Sequence, residues 1–395
     1  MLKTTPFHER TAMLCASHAW RRWAGYAVAS SYEMSHDREY HAIRSSAALF
    51  DISPLYKYLV RGKDAVRLLD RIATRNVARA EAGQVMYTPW CDAAGRVLDD
   101  GTIARLDDES FRMTSADPNL SWLQDNTWGL EVTIDDASEC IAALALQGPA
   151  SRSILQQFAD FDLARLRYFR MTAAKLRGIP VTISRTGYTG DLGFEIWLQA
   201  VHALALWDAL IEAGAPYGIM PAGMLALDMA RIEAGLMLID VDYVPARKAL
   251  IDSQASSPFE LDLGWTVNLD KEHFVGKSAL AEEARRRPQW RFVGLELDWG
   301  ELERLYAQAG LAPRVPTAAW RASVPVYVEG EQVGYATSGG WSPLLKKSIA
   351  LAHLRSHWAA PGKWVEMEVT VEHRRKRAAA RVVRKPFFDP ERKRA

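Results

Sequence analysis

The sequence predicts an α+β protein with a C-terminal β-domain, and three observations support this class. Up to about residue 280, helical and strand-like segments are intermixed without the regular strand–helix alternation of a doubly wound sheet. Beyond that point, short strand-like runs separated by turn residues follow one another, as in a small β-barrel or sandwich. The chain has 395 residues, enough for two or three domains. We therefore expect one region over residues 1–285 and a second over residues 286–395.

The individual elements follow from hydrophobic periodicity and from turn residues. Pro118 suits the first turn of a helix, and Gly214 and Gly235 end two helical segments. Predicted helices are residues 63–74, one opened by Pro118, one after Gly148-Pro149, residues 201–214, one ended by Gly235, and an insertion near 299–320. Predicted strands lie in residues 55–62, 86–106 (a hairpin with its tip at Ala94-Gly95), 109–116, 141–147, 181–184, 194–198, 291–299, 324–339, 348–354, 363–371 and 378–388.

Composition and charge exclude several classes of function. Lys and Arg number 49 against 48 Asp and Glu, a formal charge of +1, so no overall field favours nucleic acid or an anionic membrane. No apolar run approaches the roughly 20 residues that cross a bilayer, and MLKTTPFHERTAML lacks the apolar region of a signal peptide. Cys15, Cys91 and Cys140 are widely spaced, which argues for a reducing compartment and against a zinc or disulfide framework. We expect a cytoplasmic protein without a metal site.

The stretch PVTISRTGYTGDLGFEIWL, residues 180–198, predicts a β-hairpin with a long glycine-rich tip. One interpretation is an ordinary hairpin in which Gly187, Gly190 and Gly193 supply positive-φ conformations. Glu195 is the exception, because an acid at the start of an apolar strand is costly unless it is paired or binds a ligand. Glu195 is therefore a candidate binding residue.

The common sequence motifs for nucleotide, hydrolase and zinc chemistry are missing. The sequence has no GxxxxGK[ST] or GxGxxG, no GxSxG, and no HExxH. The remaining candidates for chemistry are acidic residues near predicted sheet turns, namely Asp99, Asp100 and Glu195.

Several blocks of the sequence together resemble one known family. In chain order they are GRVLDDGTIARL, ALQGPAS, SRTGYTGDLGFEIWL, ARIEAGL, LGWTVNLDKEHFVGKSAL, VPVYVEGEQVGYATSGGWSPLLKKSIALAHL and RVVRKPFF. These blocks span nearly the whole chain and resemble the aminomethyltransferase (glycine-cleavage T-protein) family. The resemblance implies a three-domain cloverleaf of the T-protein type around a central tetrahydrofolate site. Two interleaved α+β subdomains would form the folate-binding region over 1–285, and the C-terminal domain would be a β-barrel with a helical insertion near 299–320. Members of the family move one-carbon units onto or off tetrahydrofolate.

The resemblance also implies roles for residues at matched positions. A pterin presents an N3–H and a 2-amino group side by side, so Glu195, at the position of the family glutamate, can accept both hydrogen bonds. Tyr188 matches the aromatic residue beside the pterin, and Tyr87 matches a site tyrosine. Arg231 in ARIEAGL matches an arginine that contacts folate, although a position on a helix surface is equally compatible with the sequence. Ser115 stands where the family has an asparagine.

Asp100 corresponds to the family's essential aspartate, which lies near N5 and N10 of the folate. A carboxylate there can steer the pterin nitrogen, stabilise positive charge that develops during transfer, or relay a proton. Strand alternation places Asp99 and Asp100 on opposite faces, so only one of them faces the ligand. We predict that Asp100 is catalytic and that Asp99 is a solvent-side or structural partner.

The chain departs from the family pattern where a donor or a partner protein would approach. The block DVSHMGK reads DISPLYKYL here, with bulky Leu55 and Tyr56, and TSGTFSP reads TSGGWSP, which adds Trp341. The segment that follows ARIEAGL is also longer than usual in the family. Tyr56, Trp90 and Trp341 would suit a flat apolar donor, with core packing as the alternative for each.

These features leave three functions open. The first is a tetrahydrofolate-dependent transferase that demethylates a small donor, such as a methoxy-aromatic, sulfonio or N-methyl compound, onto folate N5. The second is the glycine-cleavage aminomethyltransferase, which acts on an aminomethyl-lipoyl carrier protein. The third is a non-catalytic folate-binding relative like the iron–sulfur assembly factors, whose KGCYxGQ block reads LDKEHFVGKSA here, without the cysteine. The departures favour the first, so the expected partner is a small one-carbon donor, with a lipoyl carrier as the alternative.

Overall fold

The computed structural model describes residues 2–316 and 318–395; Met1 and Thr317, the latter within the predicted insertion, lie outside this range. The helices in these two ranges are α1 (His8–Leu14), α2 (Asp37–Ser45), α3 (Ala65–Ile72), α4 (Leu120–Asp125), α5 (Ser151–Gln156), α6 (Ala203–Gly214), α7 (Met224–Glu233), α8 (Lys277–Arg286) and α9 (Trp299–Ala307). The strands are β1 (Trp20–Trp23), β2 (Tyr26–Ala29), β3 (Ala47–Asp51), β4 (Tyr56–Arg61), β5 (Val85–Cys91), β6 (Val97–Arg105), β7 (Ser110–Ser115), β8 (Thr133–Asp136), β9 (Ile141–Gln147), β10 (Met171–Leu176), β11 (Ile179–Ser184), β12 (Gly193–Gln199), β13 (Ile219–Pro221), β14 (Trp290–Leu297), β15 (Val324–Val328), β16 (Glu331–Ser342), β17 (Lys347–Arg355), β18 (Trp364–Val371) and β19 (Arg374–Val383).

The strands form two open sheets and a barrel, besides the small β1–β2 hairpin. One sheet has six strands in the order β10-β11-β12-β9-β3-β13, and the other has five in the order β5-β6-β7-β4-β8. The chain leaves the six-stranded sheet after β3, builds the whole five-stranded sheet, and returns with β9. Strands β14 to β19 close into a separate barrel. The predicted α+β class and the C-terminal barrel are therefore confirmed, while the boundary near residue 285 stays a prediction.

Strand alternation gives each open sheet one apolar face and one face toward the centre of the molecule. In the five-stranded sheet, Ile103 and Phe111 pack in a cluster with helices α3 and α4, whereas their neighbours Asp100 and Arg112 point to the other side. In the six-stranded sheet, Leu144 and Leu146 pack against α5 and α6, and Trp197 points to the other side. The guanidinium of Arg112 lies 4.1 Å from the centre of the Trp197 ring, so the two inner faces meet there.

A buried carboxylate joins the barrel to the rest of the molecule. Glu233, at the end of α7, accepts hydrogen bonds from Nε and Nη2 of Arg44 at 3.0 and 2.6 Å and from the hydroxyl of Tyr40 at 2.5 Å, both residues of α2. It also accepts a bond of 2.5 Å from the hydroxyl of Ser342 in barrel strand β16. The glutamate of the ARIEAGL block is therefore a structural brace between α2, α7 and the barrel.

Most predicted elements are present, but one is shorter than expected and the structure has several that the sequence did not predict. The insertion near 299–320 is helical only over α9, whose first turn is capped by the Asp298 side chain accepting from the Glu301 N–H at 2.8 Å. Helix α1 and the β1–β2 hairpin at the N-terminus have no counterpart in the prediction, and neither do strands β8, β10 and β13 or helix α8. In the two described ranges, no helix has the length and apolar character needed to span a membrane.

Candidate functional site

The glycine-rich loop between β11 and β12 is shaped by a buried glutamine. Of its three glycines only Gly190 has a positive φ, +73°. At Gly187 and Gly193 an added Cβ would lie 2.0 and 2.2 Å from Oε1 of Gln147, which also accepts a hydrogen bond of 2.9 Å from Thr189. The positive-φ interpretation therefore holds for one glycine, and the other two are needed because the Gln147 side chain passes so close.

Glu195 follows this loop on β12 and points to the inner side of the six-stranded sheet. Its Oε2 accepts a hydrogen bond of 2.7 Å from the Thr186 hydroxyl, while Oε1 accepts none from the residues described. Burial raises the pKa of Glu195, and the Thr186 hydroxyl and the positive charge of Arg112 oppose that rise. One carboxylate oxygen thus remains available to a ligand.

Asp100 lies on the inner face of the five-stranded sheet and is held by two tyrosines. Its Oδ2 accepts from the hydroxyl of Tyr87 at 2.8 Å, and its Oδ1 accepts from the hydroxyl of Tyr243 at 2.5 Å. Burial raises the pKa of Asp100, and the two phenols lower it again because they stabilise the ionised form. Burial and the charge of Asp100 raise the pKa of both phenols, so they stay protonated and act as donors at neutral pH.

Asp99 points to the opposite face, as strand alternation predicts. It is fully buried and accepts hydrogen bonds from the backbone N–H of Asp100 (2.8 Å), the backbone N–H of Asp117 (3.1 Å) and Nδ2 of Asn119 (2.8 Å). Burial and the negative charge of Asp100 raise the pKa of Asp99 to about 8. Of the two roles left open for Asp99, the structural one fits these contacts, since the side chain does not reach solvent.

Arg231 is buried rather than on a helix surface. It is 1% exposed, its Nε donates to Asp228 at 3.2 Å, and its Nη1 donates to Leu236 O at 3.3 Å and to Asp242. Burial lowers the pKa of Arg231, but the carboxylates of Asp242 and Asp228 outweigh that effect and the net shift is upward. Its Nη2 is buried and has no partner in the part of the chain that is described. The hydroxyl of nearby Tyr188 donates to the Met237 carbonyl.

Four further predicted site residues are engaged in packing or in turns. Ser115 donates to Asp117 O at 2.7 Å, Trp90 is fully buried and donates from Nε1 to Asn119 at 3.2 Å, and Tyr56 packs against the apolar cluster of the outer face. Trp341 packs against Trp299 of α9, with ring centres 5.2 Å apart. Ser115, Trp90 and Tyr56 therefore share the Asp99 face of the sheet, and the structure corrects the expectation that they would lie with Asp100.

Two residues of the site were not predicted from the sequence. Tyr243 comes from the long segment after ARIEAGL, and this extra length was the available signal. Arg112 is an arginine within the apolar strand FRMTS, a pattern that marks either a paired or a ligand-binding cation. Burial lowers the pKa of Arg112 and the charge of Glu195 opposes this; the net pKa is about 10, so the guanidinium is positive at neutral pH.

The fold and site define a three-part α+β protein with a candidate ligand site between its two open sheets. Residues 5–271 match the family described as "GCVT N-terminal domain", and residues 308–389 match "Glycine cleavage T-protein C-terminal barrel domain". The chain therefore belongs to the glycine cleavage T-protein family, and the predicted cloverleaf fold and the prediction of a tetrahydrofolate-dependent transferase are confirmed.

Relatives of similar length support this membership. The chain is 33% identical over 395 residues to the aminomethyltransferase of Desulfitobacterium hafniense (strain DSM 10664 / DCB-2), with 98% of each chain covered. It is also 33% identical to the aminomethyltransferase of Halothermothrix orenii, with 98% of this chain and 100% of the relative covered. The crystal structure of the glycine cleavage system aminomethyltransferase T from Bartonella henselae matches with a TM-score of 0.83 and 26% identity, over 98% of this chain and 99% of that one.

Proposed function

We propose that this protein is an aminomethyltransferase that transfers the carbon of an aminomethyl group from the lipoyl arm of a carrier protein to N5 and N10 of tetrahydrofolate. The carbon–sulfur and carbon–nitrogen bonds break, and the hydrogens displaced from N5 and N10 balance the lipoyl thiol and the ammonia that are released. Support comes from the full-length similarity to proteins named aminomethyltransferase, together with the geometry of Asp100. The observation that carries the proposal is that both oxygens of this partly buried carboxylate are fixed by phenols on the inner face of a sheet. Such a fixed negative charge suits a reaction that develops positive charge on a transferred carbon.

The unpaired polar atoms of the site fit a folate. Tetrahydrofolate would supply the nucleophilic nitrogens N5 and N10 that take up the carbon. Oε1 of Glu195 is free to accept from the pterin N3–H and 2-amino groups, and Nη2 of Arg231 is free to donate to an oxygen of the folate. Tyr188 and Tyr87 would pack around the ring system, as the family resemblance implies.

Asp100 acts in this proposal by charge and by proton transfer. Because the two phenols hold the carboxylate in one orientation, its negative charge needs no reorganisation as the reaction proceeds. The amino group leaves as ammonia and must gain a proton, and Asp100 is the acidic group on this face that can hold or deliver one. The phenols themselves keep their protons, since the pKa of each is raised.

Demethylation of a small donor is the second candidate function. Leu55, which replaces a residue of the family's DVSHMGK block, packs against the same apolar cluster as Tyr87 and Tyr188, and this favours a compact apolar donor group. A flat methoxy-aromatic donor has less support, because Trp90 and Tyr56 lie on the other face of the sheet. Small N-methyl and sulfonio compounds therefore remain as donors for this alternative.

Two parallel assays separate these functions. The first supplies tetrahydrofolate and an aminomethyl-loaded lipoyl carrier and measures ammonia and methylene-folate; the second supplies methylated donors and measures methyl-folate. We expect turnover in the first assay, with a loss of at least about 100-fold in Asp100→Asn while folate binding persists. Methyl-folate formation without ammonia release would instead establish the demethylase, and folate-dependent turnover that Asp100→Asn leaves intact would contradict the role of Asp100 in either reaction.

A further inference from the structure

Arg112 is a buried arginine whose hydrogen-bond donors are unused. It is 5% exposed, it donates no hydrogen bond to any residue in the described ranges, and its Nε is buried without a partner. Its close contact is the indole of Trp197, whose ring centre lies 4.1 Å away. Stacking on an aromatic ring compensates part of the desolvation of a guanidinium, but it satisfies none of the N–H groups in the guanidinium plane. The geometry therefore calls for an acceptor supplied by a ligand.

The strand registers place this cation at the Glu195 end of the site. Arg112 pairs with Ala104 on the neighbouring strand, four residues and about 13 Å along the strand from Asp100. Trp197, beneath the guanidinium, and Glu195 lie two residues apart on the same face of β12. The mutual influence of Arg112 and Glu195 on their pKa values agrees with this proximity. Arg112 is thus far from the carboxylate where the carbon would be transferred and close to the carboxylate expected to bind the pterin.

We propose that Arg112 is a folate-binding residue that donates hydrogen bonds to the C4 carbonyl oxygen of the pterin, beside Glu195. The edge of a reduced pterin presents the 2-amino group, N3–H and C4=O in that order, which is two donors followed by one acceptor. A carboxylate matches the two donors and an adjacent guanidinium matches the acceptor. This inference rests on the proposed function, because it assumes that the pterin binds at Glu195.

Two alternative roles for Arg112 predict different outcomes. If Arg112 bound an acidic group of the one-carbon donor, its loss would weaken donor binding and leave folate affinity unchanged. If Arg112 only packed on Trp197, its loss would affect the fold and would weaken all folates alike. The position at the Glu195 end, away from Asp100, argues against the donor-binding role. The unused donors argue against the packing role.

The test compares Arg112→Met with the unchanged protein in calorimetric titrations of tetrahydrofolate and of its 4-amino analogue. In the analogue an amino group replaces the C4 oxygen and N3 carries no hydrogen, so the contact with Glu195 weakens in both proteins and the contribution of Arg112 is the difference between their preferences. Methionine keeps an apolar stem for Trp197 and removes the guanidinium. We expect the unchanged protein to prefer tetrahydrofolate, and Arg112→Met to bind it at least about tenfold more weakly with a correspondingly smaller preference over the analogue. Arg105→Met is the matched control, because Arg105 lies on the same sheet and its donors are already bonded to Ala80, Asp107 and Asp108. It should leave both affinities unchanged.

Three results would overturn the assignment. An affinity of Arg112→Met for tetrahydrofolate within about twofold of the unchanged protein, with or without a raised KM for the donor, would exclude contact with the pterin. Equal weakening of both ligands at an unchanged preference would show a structural role, which the urea midpoint of the variant would reveal as well. Failure of the unchanged protein to bind tetrahydrofolate would refute the proposed function itself. This outcome differs from a failure of the Arg112 assignment alone, because it is observed in the protein without any substitution.

Discussion

Tyr243→Phe tests whether the two phenols set the ionisation of Asp100. The Tyr243 hydroxyl donates to Oδ1 of Asp100 at 2.5 Å, and Tyr87 donates to the other oxygen at 2.8 Å. A hydrogen bond to a charged group contributes about 1.5–3 kcal/mol, and one pKa unit corresponds to about 1.4 kcal/mol. Removing one phenol therefore raises the pKa of Asp100 by about 1–2 units above a value that burial already raises.

The direction of the effect on activity follows from the charge that Asp100 needs. If the ionised form is active, kcat/KM falls as the pH falls through the pKa of Asp100. In Tyr243→Phe this acid limb should move to higher pH by about 1–2 units, so activity near the limb drops and returns at more alkaline pH. The profile of kcat/KM is the proper measurement, because it reports ionisations of the free enzyme.

Tyr58→Phe is the matched control for this prediction. Tyr58 is a buried tyrosine of the same sheet, but its hydroxyl accepts from the Asn119 N–H at 2.8 Å on the opposite face, so Tyr58→Phe should leave the acid limb in place. An unshifted limb in Tyr243→Phe, or an equal loss of activity at every pH, would refute the idea that this phenol tunes Asp100.

Two further predictions concern stability. Glu233→Ala leaves the buried guanidinium of Arg44 with a longer contact to one carboxylate, that of Asp191 at 3.5 Å, and should lower the free energy of unfolding by about 3–5 kcal/mol in urea titrations. Asp135→Ala, which breaks the exposed pair with Arg61, should change it by less than about 1 kcal/mol. Similar losses in both variants would contradict the structural role of Glu233. Gly193→Ala places a methyl 2.2 Å from Oε1 of Gln147 and should cost about 1–3 kcal/mol. Adding Gln147→Ala should then recover part of the loss caused by the glycine substitution, and no such coupling in the double variant would exclude the clash as its cause.

The parts of the site that could be predicted from the sequence are those governed by local rules. The glycine-rich hairpin and the opposite orientations of Asp99 and Asp100 follow from turn residues and from strand alternation, and the structure has both. Strand alternation also argues against one of the predicted groupings. Tyr87 and Trp90 are three residues apart on one strand and so point to opposite faces, which means that both could not line the same site.

Contacts across the fold could not be predicted in this way. Tyr243 and Asp100 are 143 residues apart and meet because a segment after α7 packs over the inner face of the five-stranded sheet. Likewise, Arg112 reaches Trp197 only through the packing of one sheet on the other. Local periodicity determines which face a side chain takes, whereas its partner on that face depends on register and on sheet packing.

The hydrogen bonds of the two carboxylates on the inner faces, Glu195 and Asp100, suit them to different roles in the proposed site. Glu195 has one oxygen bonded to Thr186 and one left free, as a residue that exchanges a solvent contact for a ligand contact must have. Asp100 has each oxygen bonded to a phenol, so its orientation and the position of its charge are fixed before a ligand binds. Because the free acceptor and the fixed charge lie on different sheets, their separation is set by how the two sheets pack. A substitution that shifts this packing without contacting either residue would therefore impair transfer more than folate binding. Binding depends on Glu195, whereas transfer needs Glu195 and Asp100 at the correct separation.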